Sequence, residues 1–262
     1  MAFLDKTLQR GLFSKDWIER QNSVKEINDV KTLEKVAIND ENWLVRSEAI
    51  KKINDENILE KIAQTDKNID LRHQALQKIN NPEKLSNIIL TNDNPDIRRS
   101  VIDKINDKNV IQHVALHDSH WWVRRAALAK IDDETIIENI AFIDKNYKVR
   151  KAAIDKIPYK LILEKIALRD EHWVIRKLAL ERINNPKIID NLAKNDINWE
   201  IRKECVERSN NMDLINDIAL NDDNFDVRRV AVQKVVNHDL LFKISKDDTN
   251  FLVREVARSR LH

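Results

Sequence analysis

Residues 118–125 read Asp118-Ser119-His120-Trp121-Trp122-Val123-Arg124-Arg125, a run that holds two of the six tryptophans in 262 residues. Its Val-Arg pair decides the fold. The arginine recurs at Arg20, Arg46, Arg72, Arg98, Arg124, Arg150, Arg176, Arg202, Arg228 and Arg254, always 26 residues apart and without a gap. Self-similarity at such a period marks a stack of supersecondary units, each too small to bury its own apolar face.

The neighbours of each arginine keep the same register. Six residues earlier stands an acid or its isostere: Asp40, Asp66, Asn92, Asp118, Asp144, Asp170, Asp196, Asp222 and Asp248, with Ser14 in the first copy. Apolar residues follow at three, four and seven positions, as in Ala127, Leu128 and Ile131, which is helical spacing. A second apolar stripe follows in every copy, as in Ile136, Ile137, Ile140 and Ala141. Each unit is therefore a helix pair. Pro82, Pro95 and Pro186 fall at first helical positions, where a missing N–H costs nothing. Asn42, Asn68, Asn94, Asn146, Asn198 and Asn224 stand as N-caps. Asn54, Asn80, Asn106, Asn184 and Asn210 follow the arginine helix, where a left-handed closing residue is expected.

The expected fold is all-α, a right-handed α-solenoid of about ten two-helix repeats. Residues 1–13 form an N-terminal capping segment carrying Phe3, Leu4 and Leu8. Residues 14–262 form a single solenoid, with repeats starting near 14, 40, 66, 92, 118, 144, 170, 196, 222 and 248. The motifs D-x5-R and V-R-x2-A-[ILV]-x2-[IL], with paired helices, resemble the HEAT-like repeats, in particular the short forms of phycobilin lyase subunits and related bacterial and archaeal proteins. The resemblance covers residues 14 to 262 and implies that the aspartates and arginines bond within and between units as a structural ladder, Asp118, Arg124, Asp144, Arg150, Asp170 and Arg176 among them.

Composition excludes several function classes. One glycine, Gly11, cannot supply a phosphate-cradling loop. No stretch is long and apolar enough for a membrane span, and the N-terminus has charges within its apolar run, unlike a signal peptide. A single cysteine, Cys205, forbids an internal disulfide and fits a cytoplasmic setting. No catalytic constellation stands out, and no cofactor is implied. His113, His117 and His120 flank Asp118, but Asp118 is needed by its arginine, so no metal is expected.

The candidate site is the exposed side of the arginine helices. One residue after the ladder arginine, in the middle units only, come Arg99, Arg125, Lys151, Lys177, Lys203 and Arg229; six residues after it come Lys104, Lys130, Lys156, Arg182 and Arg208, with Lys52, Lys78, Lys234 and Arg260 in the same row. The four columns counted as exposed are net basic, although the whole chain carries only +2. An aromatic column stands three residues before the arginines, and Trp122, alone in its own column, is the best candidate for contact. The expected function is a non-catalytic, monomeric scaffold that holds a protein or peptide on an extended basic face. The alternative is nucleic-acid binding, with an architecture that resembles the HEAT-like alkylpurine DNA glycosylases. A further alternative is a subunit similar to the phycobilin lyases.

Overall fold

A computed structural model describes residues 10–261, and every regular element among them is an α-helix. Phe3, Leu4 and Leu8 lie outside the described residues. The chain divides into two compact units, Met1–Asp132 and Asp133–His262. In the first, the arginine helices are Trp17–Glu26, Trp43–Lys52, Ile69–Lys78, Pro95–Ile102 and Trp121–Ala129. They alternate with outer helices Val30–Asn39, Glu56–Thr65, Pro82–Thr91 and Lys108–His117. In the second, outer helices Glu134–Ile143, Lys160–Arg169, Pro186–Asn195, Met212–Asn221 and His238–Asp247 precede arginine helices Tyr147–Lys156, Trp173–Leu180, Trp199–Arg208, Phe225–Lys234 and Phe251–Ser259. The result in each unit is an α-solenoid.

The helices are eight to ten residues long, near the lower limit for stability alone. What holds them is burial of the predicted stripes. Val45, Ala49 and Ile50 on one arginine helix are fully covered, as are Leu59 and Ala63 on the outer helix that follows. Each outer helix packs most closely on the arginine helix after it, so the tightest pair spans the aspartate loop. Within each unit, arginine helices also pack on one another more closely at most steps than outer helices do. That difference makes the row of arginine helices the more closely packed of the two layers in each unit.

The N-caps form as the sequence implies. Asn42 accepts from the Leu44 N–H at 2.8 Å, and Asn198 from that of Glu200 at 2.9 Å. His172 fills the same place with its ring nitrogen, whereas His120 makes no side-chain cap. The C-termini differ from expectation. No described residue has positive φ, and the arginine helices close in extended or right-handed backbone, with Ile53, Ile79 and Ile157 extended. Asn54, Asn80, Asn106, Asn184 and Asn210 are thus not left-handed caps, because side chains from the next repeat take over that task.

At the start of the described chain Gly11 lies against Ser23; a Cβ there would stand 2.0 Å from the Ser23 hydroxyl oxygen. At the other end Arg258 occupies a position that is apolar in earlier repeats, and it pairs with Glu255 at 2.6 Å on the water side.

Candidate binding face of the arginine helices

The face of the arginine helices is framed by the ladder. In Arg46 the Nε and Nη2 donate to the Asp66 carboxylate, both at 2.9 Å, while Nη1 donates to the Asp40 carbonyl oxygen at 2.9 Å. The carboxylate therefore comes from the next repeat, 20 residues downstream, and the aspartate six residues upstream contributes its backbone instead. A guanidinium offers five donors in a rigid fork. Spreading them over two loops satisfies a side chain that is only 2% exposed. The rung repeats as Arg20–Asp40 and Arg98–Asp118 in the first unit, and as Arg150–Asp170, Arg176–Asp196, Arg202–Asp222 and Arg228–Asp248 in the second. The bonded carboxylates raise the pKa of Arg98, Arg176, Arg202 and Arg228 against the opposing effect of burial. Arg124 donates to the Asp118 carbonyl oxygen at 2.8 Å, and Asp144 accepts from the Asn146 N–H.

One rung is altered. Asn92 replaces the acid, and Arg72 turns to the Asp66 carbonyl oxygen at 2.5 Å and to the exposed Asp93 at 3.4 Å. Beside this rung lies a cavity of about 250 Å³ lined by Asn92, Arg98, His113, His117 and Asp118, with Ile89 and Val114 on its apolar side. The His113 and His117 rings sit 4.9 Å apart and tilted. No group of three or more metal-ligating side chains forms among the described residues.

The two predicted basic rows occupy different environments. The row six residues after the arginine bonds backward onto the carbonyls that end the preceding arginine helix. Lys104 Nζ donates to Leu76 and Gln77 oxygens at 2.9 and 2.8 Å, and Lys130 to Ile102 and Ile105 at 2.8 and 2.6 Å. Arg182 does the same to Ile154 and Ile157 at 2.7 and 2.5 Å, and Arg208 to Leu180 and Ile183. Lys52, Lys78, Lys234 and Arg260 follow the pattern, and Lys156 is not free either. Here a cation from one repeat closes the previous helix, which explains the absence of left-handed caps. Burial lowers the pKa of Lys78 and Lys104.

The row one residue after the arginine faces outward. Arg125, Lys151 and Lys203 make no ion pair among the described residues. Arg99 pairs with Asp103 at 3.0 Å, Lys177 with Glu200 at 3.8 Å, and Arg229 with Asp226 at 2.9 Å. Glu200 and Asp226 belong to a column two residues before the arginine that the sequence reading did not count as part of this face. On a 100° wheel this column points directly away from the core. It also holds Asp70 and Asp96, so carboxylates stand beside the cation row in several repeats, although Arg125, Lys151 and Lys203 remain unpaired among the described residues. In the second unit burial raises the Glu204 pKa.

Aromatic rings complete the face. Trp173, Trp199 and Phe225 are each more than a third exposed, and Tyr147 stacks on His172 at 4.0 Å. Trp122 is 37% exposed and stands edge-on to Trp121 at 5.9 Å and to His120 at 4.7 Å. Cys205 is fully buried on the core side of its helix. No described helix is long and apolar enough to cross a membrane.

Neither protein-family models nor curated proteins give a match to the chain. Among solved structures, YibA of E. coli aligns at 19% identity over 99% of this chain and 92% of its own, with a TM-score of 0.22. A designed armadillo repeat protein aligns at 19% identity over 97% of each chain, with a TM-score of 0.17. The assignment as a helical repeat protein rests on the helix pairs themselves.

Proposed function

We infer that the protein is a non-catalytic scaffold whose arginine-helix face holds a protein or peptide segment. The observation that carries this reading is the sorting of the basic rows. The larger row, from Lys52 to Arg260, is tied to helix-terminal carbonyls, and the smaller row is interleaved with carboxylates such as Glu200 and Asp226. What is left exposed is a mixed-charge surface with half-open rings. Aromatic side chains surrounded by paired charges suit a polypeptide, which offers apolar groups, backbone donors and charges of both signs. A nucleic-acid backbone would require the whole exposed width of these helices to be cationic, and Asp70, Asp96, Glu200 and Asp226 in the column beside the cation row stand against that.

The finer expectations of a cytoplasmic, monomeric protein and of kinship with the phycobilin-lyase type of HEAT-like repeat belong to this same reading. Its test is fluorescence anisotropy of labelled single- and double-stranded DNA and RNA, titrated across salt. The expected result is no more than weak binding that is indifferent to Arg125→Glu and Lys151→Glu. Tight binding whose logarithm falls steeply with log salt, and which those substitutions abolish, would establish the nucleic-acid alternative instead.

A further inference from the structure

The aromatic column and the outward cation row are four residues apart on the same helix. In the second unit this produces Tyr147 with Lys151, Trp173 with Lys177, Trp199 with Lys203, and Phe225 with Arg229, one pair per consecutive repeat. Residues at i and i+4 stand on one face of a helix, separated by about 6 Å along its axis. Four of the five arginine helices of this unit thus set a ring and a cation on one face, and they carry two parallel tracks; the last has Glu255 beside Phe251 and ends the cation track. Packed helices stand about 8–10 Å apart, so both tracks have that period.

A polyproline-II chain turns once in three residues and rises about 9.3 Å in doing so. Laid across the arginine helices, it meets every repeat with the same side. Residues of one set then fall on the rings, and those at another position of the triplet fall on the cations. Exposed aromatic rings are good surfaces for proline, whose fixed φ also leaves little entropy to lose on binding. The sign of the second position follows from the charge available. Lys151 and Lys203 make no ion pair among the described residues. The existing pairs of Lys177 and Arg229 are partly solvated, and such pairs are readily exchanged for another carboxylate.

We propose, resting on the scaffold reading above, that this face of residues 133–262 binds an acidic polyproline-II segment: proline or another apolar residue on Trp173, Trp199 and Phe225, and a carboxylate once per turn on the row from Lys151 to Arg229. The first unit presents the surface less completely, because its second and third repeats carry Ser47 and His73 in the cation row. These are engaged with Gln74 and Ser100 of the following repeats.

The test uses the full chain and three labelled peptides of equal length, made of repeated Pro-Pro-Glu, Gly-Ser-Glu and Pro-Pro-Lys triplets. Pro-Pro-Glu binds more tightly than Gly-Ser-Glu, which has the charge without the conformation, and Pro-Pro-Lys does not bind. Trp199→Ala and Lys203→Glu each weaken Pro-Pro-Glu about tenfold, with the helical circular dichroism of the wild type retained. Equal affinity for Pro-Pro-Glu and Gly-Ser-Glu, or indifference to Trp199→Ala, overturns the proposal. Peptides selected from a random-sequence library separate the two levels. Binders without proline periodicity that still depend on Trp199 sink this inference and keep the scaffold reading. A failure of every peptide, together with salt-dependent RNA binding, sinks both.

Discussion

Arg46 and Asp66, 20 residues apart, meet in a two-pronged ion pair at 2.9 Å, with their side chains 2% and 4% exposed. The guanidinium also reaches the Asp40 carbonyl oxygen, so one side chain joins two successive loops. Removing one member of such a pair strands a buried charge. Asp66→Ala is expected to cost about 3–5 kcal/mol, read as a fall in the urea midpoint. Replacing Arg46 and Asp66 together by apolar residues of similar size is expected to cost much less than the sum of the single changes.

The altered rung gives the opposite prediction. Asn92 stands where other repeats offer a carboxylate, and beyond its bond to the Asp66 carbonyl oxygen Arg72 has only a long contact to exposed Asp93. Asn92→Asp restores the acceptor and is expected to add about 1–2 kcal/mol of stability. In an Arg72→Ala background the gain disappears, and a double-mutant cycle in urea measures it.

The ladder also predicts how stability depends on pH. Burial pushes the Asp248 carboxyl up, but hydrogen bonds from Arg228 and from the Asn250 N–H outweigh it, and the pKa lies below the ordinary carboxylate value. A carboxyl depressed in the folded state contributes fully above its unfolded pKa of about 3.9 and loses that contribution as pH falls through the folded value. Asp248→Asn is therefore less stable than the wild type at neutral pH, and the gap narrows below about pH 4. Urea titrations at neutral and acid pH check this.

Cys205 is a probe placed by the fold itself. Burial, aided by nearby Glu204, pushes its thiol pKa up to about 12, and a protonated, covered thiol does not react. Its labelling by a disulfide reagent at neutral pH is expected to be negligible in the native protein and to appear with global unfolding of the second unit. Rapid labelling without denaturant would contradict the packing of Trp199–Arg208.

The period was legible because the arginine repeats ten times, and the apolar positions at three, four and seven residues after it because they hold in most copies, with local helix rules acting within one unit. The N-caps at Asn42 and Asn198 were legible for the same reason. Relations between repeats were not. The carboxylate that binds Arg46 is the next repeat's Asp66 and not Asp40, although both lie in the same column. Lys104 and Lys130 looked like a basic surface because no sequence rule shows that their ammonium groups end on carbonyls 25 to 28 residues earlier. The acids Glu200 and Asp226 were missed because the column two residues before the arginine lies in the first helical turn, where acids are expected for the helix dipole alone.

The sorting of the two basic rows is the claim on which the functional reading turns. It is tested most directly by urea midpoints of single alanine variants. Lys104→Ala, Lys130→Ala and Arg182→Ala each leave helix-terminal carbonyls without their donor and are expected to lose about 1–2 kcal/mol. Arg125→Ala, Lys151→Ala and Lys203→Ala touch no such bond and are expected to stay within about 0.5 kcal/mol of the wild type. Equal, negligible effects in both rows would contradict the account and return Lys104, Lys130 and Arg182 to the surface as free charge.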